Sequence, residues 1–403
     1  MNILIITNKM PYPPKDGGAI ATLNLATGLS ELSNSVDLLA INTLKHYFDI
    51  KQIPNDIQNK VTFYDHFCDT TIKPIKLIKN FLFSKIPYNA ERFIIKDFDK
   101  KIIDILKSKK YDIIQLEGLY ILPYIETIRK YSKALISYRA HNIEHLIWQR
   151  TSKFTKNPHK KFYLKNLTYR IKRFEHKYIN KYDLLIPITN VDAKILTKMG
   201  NIKPHIVVPV AFDINKIPQT QNNIEFPSLF FIGALDWTPN QEGLVWFVDN
   251  CWDDILHKHP NLKLYIAGRN APDWLEKLLE KKNIIYLGEI EDAHKYINSK
   301  AIMIAPLFSG SGIRVKIIEA MALGKAIITT SIGAEGIDIE DGNNIFIANT
   351  SEKFIETIDK LVENKALVEK IGQNAHNFVK EHFNIQKISI ILNNFYQNNI
   401  LTK

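Results

Sequence analysis

The sequence predicts an α/β protein with two Rossmann-like, doubly wound domains. Short apolar runs typical of strands alternate with segments of helical periodicity, and a polar, proline-containing stretch at 213–227 divides this alternation into two series. The length of 403 residues also exceeds that of one ordinary domain core. We therefore expect two parallel sheets covered by helices, with ligands bound beyond the carboxyl ends of the strands.

The predicted elements follow in chain order. Strands of the first series are expected at residues 3–7, 36–41, 61–64, 113–116, 134–138, 184–188 and 205–210. Strands of the second series are expected at residues 228–235, 262–267, 284–287, 301–305, 326–330 and 345–347. Helical periodicity marks residues 19–32 and 121–131 between strands, and residues 351–363, 367–383 and 385–397 near the end of the chain.

The most informative stretch runs from Ser309 to Gly324, between two apolar runs. A strand, a glycine turn, a short helix and a second strand form one βαβ unit, and the N-terminus of such a helix gathers unpaired backbone N–H groups that can hold phosphate. Glu319 lies further along the helix, where its carboxylate can accept hydrogen bonds from ribose hydroxyls. The predicted phosphate site comprises Gly310, Ser311, Gly312 and Ile313, with Arg314 and Lys316 as the cations.

This stretch resembles the nucleotide-sugar signature of the family 4 glycosyltransferases, also called glycosyl transferases group 1, which have the GT-B fold. The resemblance extends along most of the chain through the loop at 13–18, the segment at 139–144 and the segment at 231–240. It implies two Rossmann-like domains facing across a cleft. The acceptor domain is predicted at 1–212 with a returning C-terminal helix at 385–403, and the donor domain at 213–384.

Other residues that follow strands are candidate ligands. The backbone of Gly17 and Gly18 can approach a ligand closely, although a glycine turn with no ligand explains these residues as well. Arg269 is a third candidate cation for a diphosphate. The resemblance implies that Gly233 lies in the donor site. It also implies that His141, which could otherwise be a structural histidine, positions and polarises the donor sugar.

Two residues are candidate contacts to the acceptor. Glu117 closes the strand at 113–116 and Asn142 follows His141. An exposed carboxylate at a strand end, without a ligand, is the alternative for Glu117.

The sequence departs from the family pattern in the donor domain. Ser311 stands where the family commonly has a glutamate. The segment where the family commonly has an arginine and a lysine has Ala234 and then Pro239-Asn240. We expect Lys316 and Arg314 to supply the missing positive charge and to be catalytic, because fixed cations stabilise the charge that grows on the leaving diphosphate. The identity of the donor sugar does not follow from the resemblance.

The composition limits the partners. The net charge of +11 is compatible with nucleic acid, an anionic membrane, acidic substrates or simply a solvated lysine-rich surface, but no nucleic-acid-binding motif is present in the sequence. A basic stretch with interleaved aromatic residues at 150–181, and a second patch with Lys73, Lys76, Lys79 and Lys85, favour an anionic membrane surface. The alternative is that the aromatic residues belong to the core.

We interpret the chain as a retaining, metal-independent glycosyltransferase. It would use a nucleoside diphosphate sugar, act on a cell-surface or lipid-linked glycan, and need no cofactor. Two cysteines without metal spacing, and no signal peptide, favour the cytoplasm, with peripheral attachment to the inner face of the membrane. A non-catalytic binding subunit is the alternative, and an NAD enzyme is disfavoured because the GxGxxG fingerprint is missing.

Overall fold

A computed structural model describes residues 1–155, 157–214, 223–310 and 312–402. The chain divides into two compact units. The N-terminal unit comprises Met1–Phe212 and Ile385–Lys403, and the C-terminal unit comprises Asp213–Asn384. Most of the predicted linker, residues 215–222, lies outside the described residues.

The N-terminal unit contains a six-stranded parallel sheet in the order β3-β2-β1-β4-β5-β6. Its strands are β1 (Asn2–Thr7), β2 (Ser35–Thr43), β3 (Val61–Cys68), β4 (Ile113–Glu117), β5 (Leu135–Ala140) and β6 (Leu184–Pro187). Alternate residues of β1 enter two different cores: Ile3 and Ile5 pack on one face and Leu4 and Ile6 on the other. This double burial is expected of a parallel sheet covered by helices on both faces.

The C-terminal unit contains a second six-stranded parallel sheet in the order β12-β11-β10-β7-β8-β9. Its strands are β7 (Glu225–Ile232), β8 (Leu264–Ala267), β9 (Ile284–Tyr286), β10 (Lys300–Ala305), β11 (Ala326–Thr329) and β12 (Phe346–Ile347). The strand order reverses between β10 and β7, as it does between β1 and β4 in the first sheet. Such a switch point is where ligands bind in doubly wound sheets.

Helices connect the strands in both units. Those before residue 200 are α1 (Gly17–Ser30), α2 (Asn55–Gln58), α3 (Pro74–Phe83), α4 (Tyr88–Glu91), α5 (Lys96–Ser108), α6 (Ile125–Tyr131), α7 (Glu144–Phe154), α8 (Pro158–Tyr178) and α9 (Asn190–Lys198). Those after it are α10 (Thr238–Phe247), α11 (Asp253–Lys258), α12 (Asp273–Leu279), α13 (Ala293–Asn298), α14 (Val315–Ala322), α15 (Ser351–Val362), α16 (Lys365–His382) and α17 (Ile385–Leu401). No helix among the described residues is long and apolar enough to cross a membrane.

The last helix, α17, returns to the N-terminal unit, as the resemblance implies. It packs on α1 so closely that a Cβ added at Gly28 would lie 2.2 Å from Ser389 Oγ. Tyr396 on α17 is fully buried and donates to Gln115 Oε1 on β4 at 2.6 Å. The end of the chain is therefore part of the first core.

One predicted strand is wrong. Residues 205–210 form no strand and make only an isolated bridge between Leu185 and His205. Backbone hydrogen bonds still join this segment to β6, at 3.2 Å from Ile206 to Leu185 and 2.9 Å from Val208 to Pro187. Pro204 and Pro209 flank the bonded residues, and proline cannot donate to a ladder, so the pairing remains incomplete.

Candidate active site

In the C-terminal unit, the two strands at the switch point lead into helices that carry the predicted donor residues. β7 continues through Gly233 into α10, and β10 continues through the glycine turn into α14. The two connections lie close together. A Cβ added at Gly243 on α10 would fall only 1.8 Å from the Pro306 carbonyl oxygen, so the close approach requires glycine there. The fold therefore brings the loops after β7 and β10 into one site.

The turn before α14 requires glycine. Gly310 and Gly312 have φ values of +101° and +75°, a region that residues with a Cβ rarely adopt. Arg314 is 4% exposed and donates from Nη1 to the Gly312 carbonyl oxygen. Its guanidinium therefore holds the shape of the turn, and a direct contact of Arg314 with phosphate stays a prediction.

Two further predicted donor residues belong to this turn. Ile313 is partly buried. Ser311 lies outside the described residues, so its proposed role stays a prediction.

Lys316 lies in the first turn of α14. Its Nζ donates to Asn240 Oδ1 at 2.8 Å and lies 4.1 Å from the centre of the Phe231 ring. Burial, together with the nearby Arg314 cation, lowers the pKa of Lys316 to about 7. An anion bound beside this amine would stabilise its charged form, which is the property expected of a diphosphate ligand.

Gly233 makes room for the Lys316 amine, and Asn240 holds it by a hydrogen bond. A Cβ at Gly233 would lie 2.8 Å from Asn240 Nδ2 and 3.2 Å from Lys316 Nζ. Asn240 is buried and donates from Nδ2 to the Ala234 carbonyl oxygen at 2.8 Å, so its Oδ1 is fixed toward Lys316. In the sequence, Asn240 is only a departure from the family pattern, and its contact with Lys316 was not predicted.

Trp237, which was not predicted as a site residue, lies beside the glycine turn. Its ring is close enough that a Cβ at Gly310 would lie 3.3 Å from it, and the residue is 37% exposed. The site therefore presents an aromatic surface next to the predicted phosphate cradle. Its position at the N-cap of a helix that follows a strand is the signal that could have identified it.

Glu319 on α14 accepts a hydrogen bond from His294 Nε2 on α13 at 2.8 Å. This hydrogen bond raises the pKa of His294, which stabilises the charged imidazolium against the carboxylate. The bond involves Oε1, and no hydrogen bond from the described residues reaches Oε2, so that oxygen can accept from a ligand hydroxyl. His294 was not predicted, because nothing in its local sequence indicates a partner 25 residues away.

Arg269 follows β8 in the same unit. Its backbone carbonyl oxygen accepts from Leu235 at 2.8 Å, and a Cβ at the preceding Gly268 would lie 2.0 Å from the Gly233 carbonyl oxygen. The loops after β7 and β8 are thus joined through the backbone. The side chain of Arg269 is partly buried, and its contact with a diphosphate stays a prediction.

In the N-terminal unit, Glu117 and His141 lie at the carboxyl ends of the adjacent strands β4 and β5. The Glu117 carboxylate is bonded to His141 Nε2 and also accepts from Gln115 Nε2 and from Thr22 Oγ1, the last at 3.1 Å. Glu117 is 2% exposed, so the alternative of an exposed carboxylate is wrong. The His141 side chain is 17% exposed and is the member of this pair that a ligand can reach.

Arg139 completes this cluster. It is fully buried, donates from Nη1 to the Ala21 carbonyl oxygen at 3.0 Å and lies 3.6 Å from the Glu117 carboxylate. Burial alone would raise the pKa of Glu117, but the charges of Arg139 and His141 and the hydrogen bonds outweigh it and lower this pKa to about 2. Glu117 is therefore an anion at neutral pH, and it orients the His141 ring.

A second carboxylate cluster begins α7, next to His141. Glu175 on α8 accepts from the Glu144 backbone N–H at 2.8 Å and pairs with His145 Nδ1. Burial raises the pKa of Glu144 to about 7, opposed by hydrogen bonds from Tyr120 and Asn142. Asn142 therefore holds this cluster, and its contact with an acceptor stays a prediction. Glu175 was not predicted, although it is the single acid in the stretch at 150–181, which is an unusual place for a negative charge.

Gly17 and Gly18 begin α1, but a carboxylate already occupies this helix N-terminus. Asp16 accepts from the Ala19 backbone N–H at 3.0 Å and pairs with Lys9 Nζ at 2.5 Å. Burial raises the pKa of Asp16, but Lys9 outweighs it, and the pKa falls to about 2. A phosphate at this position would face a fixed negative charge, so the role of these glycines in donor binding stays a prediction.

The structure thus groups several of the predicted residues into one cluster in each unit. The C-terminal unit brings together Gly233, Gly310, Gly312, Arg314 and Lys316 around Asn240. The N-terminal unit joins Glu117 to His141.

Comparison with known proteins relates the C-terminal unit to a known family. Residues 226–364 match the family model described as glycosyl transferases group 1. An uncharacterised 44.6 kDa protein of the cps region of Klebsiella pneumoniae is 25% identical over 402 residues, covering 96% of this chain and 97% of that protein. The capsular polysaccharide biosynthesis glycosyltransferase CapM of Staphylococcus aureus is 27% identical over 150 residues, covering 35% of this chain and 39% of CapM.

The fold has known counterparts too. The crystal structure of Anabaena Alr3699/HepE in complex with UDP matches with a TM-score of 0.66 and 13% sequence identity, covering 99% of this chain and 100% of that one. The chain is a glycosyltransferase with the GT-B fold, and its residues 226–364 match the group 1 family. The predicted family and fold class are confirmed, and the two alternatives, a non-catalytic subunit and an NAD enzyme, are disfavoured.

In this glycosyltransferase, we expect Glu319→Ala to weaken the binding of the nucleoside diphosphate by roughly 1.5–3 kcal/mol, because hydrogen bonds from ribose to a charged acceptor are lost. Calorimetric titration measures this loss. The matched control is His294→Ala, which removes the partner of Glu319 but keeps its carboxylate, and which should weaken binding less. Equal affinities of wild type and Glu319→Ala would exclude Glu319 from the nucleotide site.

Proposed function

We propose that this glycosyltransferase transfers a sugar from a nucleoside diphosphate sugar to a cell-surface or lipid-linked glycan, with retention of configuration and without a metal ion or cofactor. The observation that carries the proposal is the pair of turn glycines, Gly310 and Gly312, with Lys316 and Glu319 on the helix that follows them. Backbone amides and a cation suit the diphosphate, and a carboxylate suits the ribose. The UDP held by Anabaena HepE and the capsular role in the name of CapM support the donor and acceptor classes.

The proposed reaction needs no strong base from a side chain. The acceptor oxygen attacks the anomeric carbon on the face from which the diphosphate leaves. The bond to the diphosphate breaks, a new glycosidic bond forms, and the acceptor proton passes to the leaving phosphate oxygen. Negative charge grows on that oxygen as the bond stretches, so a fixed cation and helix N–H groups beside it stabilise the transition state.

We assign His141 a positioning role toward the sugar. Its Nε2 is directed to Glu117, so its orientation is fixed by a buried anion before any substrate binds. A preset ring loses little entropy on binding a sugar hydroxyl. Glu117 acts through His141, since its own carboxylate is buried.

We place the reaction at the cytoplasmic face of the cell membrane. The net charge of +11 is positive, and anionic lipids attract positive charge. A lipid-linked acceptor would lie at the surface of the same membrane. Nucleic acid is not part of the proposal.

The donor class is tested by ligand-induced stabilisation followed by turnover. Thermal unfolding is measured with UDP, GDP, ADP, CMP and dTDP, because binding to the folded state raises stability by about 2.7 kcal/mol at one hundred times the dissociation constant. We expect one nucleoside diphosphate to raise the melting temperature and its sugar conjugates to be hydrolysed or transferred slowly. No shift with any of them, together with no turnover, would overturn the proposal.

Binding of the diphosphate should also take up a proton. The amine of Lys316 has a pKa of about 7 in the free protein and is mostly neutral at pH 8, whereas a bound anion restores its charge. Affinity should therefore be constant below the free pKa and fall by up to about tenfold per pH unit above it. Calorimetry in two buffers of different ionisation enthalpy measures this uptake, and Lys316→Met should abolish it. Equal uptake by both proteins would show that the phosphate alone titrates.

A further inference from the structure

The helix α3 presents apolar side chains to solvent and not to the core. Ile75, Ile78, Leu82 and Phe83 are between 59% and 85% exposed, and Ile72 just before the helix is 62% exposed. Ile75, Ile78 and Leu82 are spaced by three and four residues, which places them on one face. This arrangement reverses the usual orientation of an amphipathic surface helix, whose apolar stripe faces the protein.

The inward side of α3 is held by polar contacts. Arg170 on α8 donates to Asn80 Oδ1 at 2.8 Å and to the carbonyl oxygens of Ser84 and Ile86 at 2.7 and 2.6 Å. Asn80 is the buried residue of α3, and Phe81 packs near Tyr163 with ring centres 5.8 Å apart. Buried Arg170 thus fixes the helix on α8 with its apolar face outward. The exposure of the apolar face of α3 therefore follows from the contacts that Arg170 makes with the other face.

The same surface carries positive charge. Residues 72–85 contain Lys73, Lys76, Lys79 and Lys85, all exposed, and no acidic residue. The neighbouring α8 exposes Phe162 and Tyr169 together with Lys165 and Lys172, whereas its Leu167 and Phe174 are buried. The aromatic residues of the stretch at 150–181 are therefore divided between the core and the surface.

We propose that α3 is an interfacial helix that inserts its apolar face into a bilayer of anionic lipid. This proposal rests on the proposed function in one respect, the membrane location of the reaction. Apolar side chains can enter the boundary between headgroups and acyl chains, and the lysines around them contact anionic headgroups. A second copy of the chain fits this face poorly, because a symmetric contact would place the lysines of both copies against each other.

The test is co-sedimentation with phosphatidylglycerol–phosphatidylcholine vesicles and with pure phosphatidylcholine vesicles. We expect wild type to bind the anionic vesicles at least tenfold more tightly, with binding that weakens as salt rises. Ile78→Glu with Leu82→Glu should lower this binding at least tenfold. The matched control is Ile202→Glu with Leu401→Glu, since both residues are more than four-fifths exposed in the same unit, and it should bind like wild type.

A charge variant distinguishes membrane binding through α3 from membrane binding through α8. Lys76→Gln with Lys79→Gln should weaken binding and reduce its salt dependence. Release by replacing Lys160, Lys161, Lys172 and Arg173 with glutamine, while the α3 variants bind normally, would overturn the proposal in favour of α8. Equal binding to neutral vesicles, no binding at all, or a concentration-dependent dimer that Ile78→Glu with Leu82→Glu disrupts would also overturn it.

The proposed catalytic function is measured separately. Stabilisation by the nucleoside diphosphate and hydrolysis of its sugar conjugate should be unchanged in Ile78→Glu with Leu82→Glu, because α3 lies outside the C-terminal unit that holds the predicted donor site. Normal turnover without lipid binding would overturn only the membrane proposal. Lipid binding without nucleotide binding would overturn only the donor proposal.

Discussion

Replacing Lys316 by alanine is expected to lower turnover by about 10² or more, the loss that follows removal of one preorganised charge partner from a transition state. The amine lies in the first turn of α14, is fixed by Asn240 at 2.8 Å and lies 4.1 Å from the Phe231 ring centre. Its position is thus set before the diphosphate binds. Single-turnover measurement of nucleotide release from the sugar nucleotide reports the effect on chemistry.

The control is Lys277→Ala, which removes an exposed lysine of α12 in the same unit and should leave turnover within twofold of wild type. Lys316→Met keeps much of the side-chain volume, so it should lose turnover as Lys316→Ala does while keeping the fold. Because the folded protein depresses the pKa of Lys316, removal of the amine should not destabilise the protein near pH 7. Turnover near wild type in both variants would exclude Lys316 from the mechanism.

Much of the fold follows from local pattern. Apolar runs at 3–7 and 301–305 are buried on both faces, and the polar break at 213–227 separates the two series, so periodicity alone predicts two parallel sheets. The strand predicted at 205–210 is wrong because composition indicates a strand but does not reveal whether its hydrogen-bond ladder with β6 can be completed. Its flanking prolines limit it to an isolated bridge.

Site residues that are close together in the sequence were predictable, whereas contacts between residues far apart in the sequence were missed. Glycines and cations between Gly310 and Lys316 are close in sequence, so their spacing indicates a phosphate cradle. The hydrogen bonds that orient His141 run from Tyr396 through Gln115 to Glu117, across a separation of 281 residues. Pairings of that kind depend on the packing of α17 on the sheet, which periodicity does not specify.

Glu117→Gln is expected to destabilise the N-terminal unit by about 3–5 kcal/mol, the cost of leaving a buried charge without its partner. The substitution keeps the shape of the side chain but removes the anion next to Arg139, which is fully buried 3.6 Å away. Among the described residues, Nε and Nη2 of Arg139 have no hydrogen-bond partner, so other groups do not replace the lost charge. Urea unfolding at pH 7, followed by tyrosine and tryptophan fluorescence, measures the loss.

The stabilising effect of Glu117 depends on pH. The folded protein depresses the pKa of Glu117 to about 2, so the carboxylate contributes stability that is complete above its unfolded pKa and is lost as pH falls toward 2. The stability difference between wild type and Glu117→Gln should therefore be constant near neutral pH and shrink in acid. Glu126→Gln, an exposed carboxylate paired with Lys181 at 3.6 Å, should change stability by no more than about 0.5 kcal/mol.

A second substitution separates the loss of charge from a general loss of packing. Arg139→Met combined with Glu117→Gln removes the uncompensated cation, so the double variant should regain part of the stability that Glu117→Gln loses. His141 would still lack its anionic partner in the double variant, and turnover should stay low although the fold is restored. Additive stability losses would mean that Arg139 and Glu117 act independently. Recovered turnover would remove the Glu117 anion from the positioning of His141.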